Sequence, residues 1–428
     1  MNEIILQYLW RNVLFNPAGL RTNEREPVIV LHPGTQNHNA GPDFTEAKIK
    51  IGKTVWVGNV ELHVRTSDWH KHRHATNPSY QNIILHVVYE DDEPLAGTSF
   101  PTLELKHHLD QAILDRYQRL MNLTHTIPCA GQLRHIPDIL WVTWMDRLLA
   151  ERWERRLDDW QSLWTQSGSD WRTLLYYRLA ANFGFHVNRE AFLDLALSLP
   201  LKILSRHRNN LLQTEALLFG QAGLLGGAGA DEYMETLEQE YHFLRRKYQL
   251  VPLSGHRWKF MRLRPSNFPT LRIAQFAMLV HKSLDLFARM MEIKDTESIL
   301  PLLEVQASAY WDNHYRFREQ TRESQVKHLG REAASNIIIN TVAPMQHLYA
   351  HLQGKDSLHE DSLNLLQSLK PEHNAITREW RSLGVIADNA AQSQALIQLF
   401  NHYCTPRNCL SCSIGNRLVR KGDVTSEK

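Results

Sequence analysis

The chain has 428 residues, 43% of them hydrophobic, with a net charge of +2 and 23 histidines. That length exceeds one ordinary domain, and the apolar content is ample for packed cores, which excludes wholesale disorder. The near-neutral charge excludes a global field for a polyanion, so any phosphate-binding surface is a local patch; no run reaches the roughly 18 apolar residues of a membrane span.

Residues 1–15 predict a helix with Ile4, Ile5, Tyr8, Leu9 and Val13 on one stripe, stopped by Asn16-Pro-Ala-Gly. Glu3 stands where a secretory signal would carry basic residues, so no signal peptide is expected. The expected location is the cytoplasm, where the four cysteines stay reduced. Residues 27–31 predict a short strand, and His32-Pro-Gly opens a loop. A Gly-Pro-Asp turn at 41–43 then leads into an alternating strand at 44–51, Gly52-Lys-Thr reverses the chain, and a second strand follows at 55–66.

Asp43 sits at the mouth of the first hairpin strand, and Glu61-Leu-His63 lies inside the second, so the two carboxylates converge at one end of a twisted hairpin. Oxygen ligands of this kind hold Mg²⁺ or Mn²⁺, which polarises a phosphate and activates water. A nitrogen base beside them orients the water or stabilises charge. His63 fills that place, with Lys48 or Lys50 as substitutes. The pattern Pro42-Asp43…Glu61-x-His63 resembles the P-D…(D/E)-x-K signature of restriction-endonuclease-like nucleases, with histidine in place of the usual lysine. Helix, strand and hairpin in that order also match the opening of the nuclease-like core. Glu104-Leu-Lys106 reads as an ordinary strand end.

The run Ser67-Asp-Trp-His70-Lys-His72-Arg-His74 offers alternate histidines to a metal, or else a polar loop or helix start capped by Ser67, with Asp68 a weaker third carboxylate. Residues 80–89 predict a central strand with His86 as a core residue, and 102–105 another strand. From about residue 109 the periodicity becomes helical, with helices predicted at 141–164, 171–185, 190–199, 213–225, 233–248, 273–293, 335–352 and 375–403. The polar stretch 355–372 predicts a loop or a short helix. The glycines of 215–226 suit close packing, Gln221 included. Arg262, Arg264 and Arg272, interleaved with aromatics and prolines before a helix start, are the candidate nucleic-acid contacts, against the alternative of a loop pinned by ion pairs.

Cys404, Cys409 and Cys412 follow a C-x4-C-x2-C spacing suited to zinc or an iron–sulfur cluster. Cys129 is the natural fourth ligand and His402 the second choice. The one-plus-three distribution resembles that of certain iron–sulfur nucleases. The tail from Arg420 onward is polar.

GPDF at 41–44, WVGNVELH, SDWHKHRH, ILHVV at 84–88, LFGQAGLL at 218–225, RLRPSNFPTLRIAQFA at 262–277 and the terminal cysteines together resemble a bacterial family, domain of unknown function 2851, found mainly in Bacteroidetes. The family label implies no activity. The expected architecture is α+β: a restriction-endonuclease-like α/β core at 1–108, a larger α-helical domain at 109–403, and a cysteine cluster with tail at 404–428. The expected function is metal-dependent phosphodiester hydrolysis of DNA rather than RNA, with no membrane partner. The alternatives are a non-catalytic nucleic-acid-binding or scaffold protein on a degenerate nuclease fold, and a hydrolase of small phosphate esters.

Overall fold

The chain divides into two compact units, Met1–Val142 with Phe400–Lys428, and Thr143–Leu399. A computed structural model describes residues 1–37, 39–72, 77–95, 97–227, 229–282 and 285–421. His74 and most of the tail that begins at Arg420 lie outside the described residues.

The first unit opens with α1 (Glu3–Arg11), whose N-cap Asn2 accepts a hydrogen bond from the Ile5 amide at 3.1 Å. The helix ends earlier than its apolar pattern implies. Val13 lies beyond it with a φ of 50° and is exposed, as is Ile4, while Leu6 and Trp10 go inside. The strands are β1 (Val28–His32), β2 (Thr35–Gln36), β3 (Phe44–Ile51), β4 (Thr54–Arg65), β5 (Ile83–Glu90) and β6 (Thr102–Glu104). They form one mixed sheet in the order β1-β3-β4-β5-β6, with β2 pairing to β3 off that path. The pairs β1–β3 and β3–β4 are antiparallel; β4–β5 and β5–β6 are parallel.

Alternation sorts each hairpin strand. Phe44, Ala47, Ile49 and Ile51 of β3 and Val60 and Leu62 of β4 join Leu6 and Trp10 in one apolar core, which leaves Glu61 and His63 on the other face of β4. The strand β5 is buried on both faces, as its continuous apolar run predicts for a central strand. The one-turn helix α2 (Asp68–Lys71) links β4 towards β5, and α3 (Gln111–Asn122) follows β6. The helix Ser413–Lys421 packs on α3, with Arg116 Nε donating to the Val419 carbonyl at 2.8 Å.

Among the described residues, the second unit is helical apart from the two-stranded pair His314–Arg316 and Glu319–Gln320. Its long helix α4 (Asp138–Gln166) begins before Thr143 in sequence, and its core continues through Trp171–Phe183, Arg189–Ser198, Leu211–Gln221, Glu232–Tyr248 and Pro269–Lys282. The predicted helix at 273–293 is found as two, Pro269–Lys282 and Leu286–Glu292. The polar stretch 355–372 takes its helical alternative, Asp356–Ser368, which buries Leu358, Ser362, Leu365 and Leu366 along one stripe. Within 335–352 the helix widens into a π turn at Ile338–Val342.

The glycine-rich segment is a close-packing device. A Cβ at Gly220 would lie 2.1 Å from Cγ of Tyr241. Gln221 is buried beside it, donating to the Val251 carbonyl at 2.7 Å and accepting from the Tyr241 hydroxyl at 3.0 Å. Among the described residues, no helix is long and apolar enough to cross a membrane. Gly220→Ala is expected to destabilise the protein by about 2 kcal/mol or more, because Tyr241 must leave its rotamer or the helices must part. Urea unfolding measures this; an unchanged midpoint would refute the packing role given to Gly220.

Candidate active site

The site starts from a slip in strand pairing. From Ile51↔Thr54 to Ala47↔Gly58 the β3–β4 register is uniform, but Phe44 pairs with Val60, so Thr45 and Glu46 share one partner position. Glu46 takes a φ of 57° to make this bulge. Continued without the slip, the register would set Asp43 opposite Leu62, whose side chain is in the apolar core. With it, Asp43 stands opposite Glu61. Gly34 makes room above the bulge: a Cβ there would lie 2.7 Å from the Thr45 carbonyl oxygen.

Reciprocal hydrogen bonds lock the pair. The Asp43 amide donates to Glu61 Oε2 at 3.0 Å, and the Leu62 amide donates to Asp43 Oδ2 at 3.0 Å. From α1, Gln7 Nε2 donates to Asp43 Oδ1 at 2.8 Å. Glu61 is only 5% exposed. Burial pushes the Asp43 carboxyl up to about 6 against the hydrogen bonds from Leu62 and Gln7. Burial, then the Asp43 charge, push Glu61 up to about 8. Tyr80 faces the same pair: burial and then the charges of Glu61 and Asp43 raise its hydroxyl to about 12.

His63 lies next to the carboxylates. Its Nε2 is 3.8 Å from Glu61 Oε1 and 3.1 Å from His72 Nδ1, and its Nδ1 is 2.8 Å from His86 Nε2. His86 pairs in register with Glu61 across the parallel β4–β5 junction, so it borders the site rather than serving only the core. Glu3, His63 and His72 form a group of three donors whose ligand atoms all lie within 4.8 Å of one another. Imidazole and carboxylate donors together suit a transition-metal ion.

Asp43, Glu61 and His63 are therefore brought together as their spacing implies. Glu3, Gln7, Tyr80 and His72 join them through tertiary structure. A helical i, i+4 relation puts Glu3 and Gln7 on one face of α1, but nothing in the sequence says which strand that face meets. Lys48 pairs with Val57, four residues along β4 from Glu61, which sets it about 13 Å away at the usual strand rise; Lys50 is further still. Asp68 is engaged locally by Lys71 Nζ at 2.6 Å and the Arg65 amide at 3.1 Å. The histidine run is not a strand face, because His70 belongs to α2; Ser67 bonds Asp92 through its hydroxyl at 2.8 Å instead of capping that helix. Glu104 ends β6 and Lys106 pairs with Glu90 at 2.6 Å, an ordinary strand end.

The family model described as a protein of unknown function (DUF2851) matches residues 3–375. The chain belongs to that family. No curated protein and no solved structure matches it. The DUF2851 match takes in Glu3, Asp43, Glu61, His63, His72 and Cys129.

The other expected positions in this DUF2851 chain fall as follows. Arg262 and Arg264 are exposed in the helical unit. Arg272 is 6% exposed, donates to Asn267 Oδ1 at 2.6 Å and Gln275 Oε1 at 2.9 Å, and lies over the Phe185 ring. Its guanidinium braces the interior and is not placed to meet a phosphate. All four cysteines are buried in the sheet-containing unit. Cys404 ends the π turn Phe400–Cys404, and Arg407 donates to the Met121 and Leu123 carbonyls at 2.8 and 2.9 Å, tying the cysteine loop to the segment before Cys129. Burial, then the neighbouring Cys412 and Cys409, push the Cys129 thiol up.

Both site carboxyls keep their protons to higher pH in the folded chain than unfolded, where 3.8 and 4.5 apply. Their stabilising contribution is complete below those values and is lost as pH rises through about 6 and about 8. In chelator, thermal stability is expected to fall across that window and Glu61→Gln to flatten most of the slope; an equally steep slope in the variant would show that Glu61 is not the group responsible.

Proposed function

We propose that this protein hydrolyses phosphodiester bonds, in DNA in preference to RNA, at a divalent-metal site formed by Asp43 and Glu61. The convergence of the buried Glu61 and half-buried Asp43 carboxylates at the bulged end of the hairpin carries the reading. Like charges this close and this buried favour a cation, which the raised affinity of both groups for protons reflects. A resemblance to the restriction-endonuclease-like core is supported by the order α1, β1, β3, β4 and by the position of both carboxylates on the hairpin.

A bound Mg²⁺ or Mn²⁺ supplies a Lewis acid for the phosphoryl oxygen. Asp43 and Glu61 would hold that ion once deprotonated, so its affinity would rise with pH. His63 takes the proton of the attacking water at Nε2, with Nδ1 held by His86. His72, exposed and 3.1 Å away, passes it to solvent. Imidazoles beside the carboxylates favour Mn²⁺ over Mg²⁺, and Glu3, His63 and His72 would hold a transition-metal ion such as Zn²⁺ in competition with it. Arg262 and Arg264 are the surface cations offered to the polymer.

The second reading, a non-catalytic nucleic-acid-binding or scaffold protein, draws on His63 itself, which is 1% exposed and engaged at both ring nitrogens where a catalytic lysine would stand.

We further propose that Cys129, Cys404, Cys409 and Cys412, all buried in the sheet-containing unit, hold a metal group, zinc or an iron–sulfur cluster.

Labelled single- and double-stranded DNA, incubated with Mn²⁺ or Mg²⁺, should be cut by the wild type, fastest with Mn²⁺. Asp43→Ala and Glu61→Ala should each lower the rate by roughly a hundredfold or more while binding persists. Salt-sensitive binding without turnover under any metal would favour the second reading. For the thiols, protein purified without oxygen should contain either zinc or iron with acid-labile sulfide, lost in Cys409→Ala; no metal would overturn the site.

A further inference from the structure

The helical unit carries a concentration of arginines that the cleavage chemistry does not use. Arg152 and Arg156 are one turn apart on α4 and so lie on one face. Arg152 Nε donates to Gln394 Oε1 at 2.6 Å. Arg156 Nη2 donates to the same oxygen at 2.9 Å and to Asn340 Oδ1 at 2.6 Å, while its Nη1 donates to the Ile339 carbonyl at 3.3 Å. Ile339 and Asn340 belong to the π turn Ile338–Val342, the kind of helix widening that recurs at functional sites.

The nearby acid, Glu372, does not neutralise these guanidiniums directly. Its Oε1 accepts from Asn336 Nδ2 and Asn340 Nδ2, each at 3.1 Å, and its Oε2 accepts from Gln394 Nε2. The amides of Asn340 and Gln394 therefore stand between the charges, with amino groups on Glu372 and oxygens on the arginines. Arg178 lies over the Trp160 ring at 4.4 Å, and its buried Nε has no hydrogen-bond partner among the described residues. Arg189 forms the exposed rim. Among the described residues, none of the four makes an ion pair within 4.0 Å of a carboxylate.

Four guanidiniums thus face two acids, Glu372 and the exposed Asp159, in a half-buried setting. Burial first, and Arg152 next, hold Arg156 well below the usual arginine range. Burial, then Arg189, bring Arg178 down to about 10. An excess of buried positive charge is costly unless a counter-ion meets it. Among the described residues, neither terminal nitrogen of Arg152 has a hydrogen-bond acceptor, and the guanidinium fork matches phosphate oxygens. The excess of two charges matches a phosphate monoester dianion better than a single carboxylate.

We propose that Arg152, Arg156 and Arg178 form a binding site for a phosphate monoester. The group is either a small free phosphate ligand or the terminal phosphate of a nucleic-acid strand, and its chemistry at the arginines is the same. The site shares no residue with the carboxylate centre.

The test is isothermal calorimetry on the full-length protein at fixed ionic strength, with inorganic phosphate and with a short oligodeoxynucleotide carrying either a 5′-phosphate or a 5′-hydroxyl. Inorganic phosphate is expected to bind saturably. Arg152→Gln and Arg178→Gln should each weaken it roughly tenfold or more, in line with loss of one charge-assisted hydrogen bond. Arg178→Gln removes no bond to the π turn, so it keeps the test open if variants of Arg156 fail to fold. Stronger binding of the phosphorylated oligonucleotide than its hydroxyl twin, in competition with inorganic phosphate, assigns the site to strand ends. Binding of inorganic phosphate alone assigns it to a small ligand. No saturable heat, or wild-type affinity in both folded variants, would overturn the proposal. Asp43→Ala should bind phosphate as the wild type does, so a failed cleavage assay leaves this result unaffected.

Discussion

The sheet-containing unit depends on one extra residue in β3. Because side chains alternate along a strand, a slip of one residue exchanges the faces of everything beyond it. The bulge at Thr45 and Glu46 applies that exchange at the mouth of the hairpin. Phe44, Ala47, Ile49 and Ile51 all remain in the core, while Asp43 is set opposite Glu61 instead of Leu62. The left-handed backbone at Glu46 costs of the order of 1 kcal/mol. The reciprocal bonds between Asp43, Glu61 and Leu62 hold the resulting geometry, and Gln7 fastens it to α1.

Much of this was legible in the sequence because hairpins are local. Alternation gave β3 to the residue and β4 within one, and the Gly-Pro-Asp turn with Glu61-x-His63 located three of the site's side chains. The bulge itself carries no local signal, since Glu46 is neither glycine nor asparagine. What depends on packing was hidden: that α1 would bring Glu3 towards His63 and His72, that β5 would pair in parallel and set His86 beside Glu61, and that Tyr80 would face the carboxylates. Among the arginines of 262–272, alternation with aromatics could not distinguish a surface cation from an internal brace. Burial made the distinction, leaving Arg262 and Arg264 outside and Arg272 inside.

The helical unit shows the same limit of local reading. The segment 355–372 looks polar overall, yet four residues at helical spacing suffice to dock it. The glycines of 220 and 223 declared close approach, and their partners, Tyr241 and the Leu253 carbonyl, are distant in sequence. The charge-rich face of α4 has the composition of a solvated surface. Part of it, Arg147 with Glu151, does form an exposed i, i+4 pair. One turn further, Arg152 and Arg156 instead turn towards Gln394 and Asn340.

Each unit therefore brings ionisable groups of one sign close together in a partly desolvated setting. In the first, burial and mutual repulsion raise the proton affinity of Asp43 and Glu61. In the second, amides separate Glu372 from the guanidiniums it would otherwise neutralise. Selection for stability alone favours apolar replacements at such positions, because desolvating like charges exceeds any gain among them. Ligands of opposite sign reverse that balance: a cation for the carboxylates and a phosphate for the arginines. The two requirements belong to separate residues, so a variant that removes one set of side chains leaves the other in place.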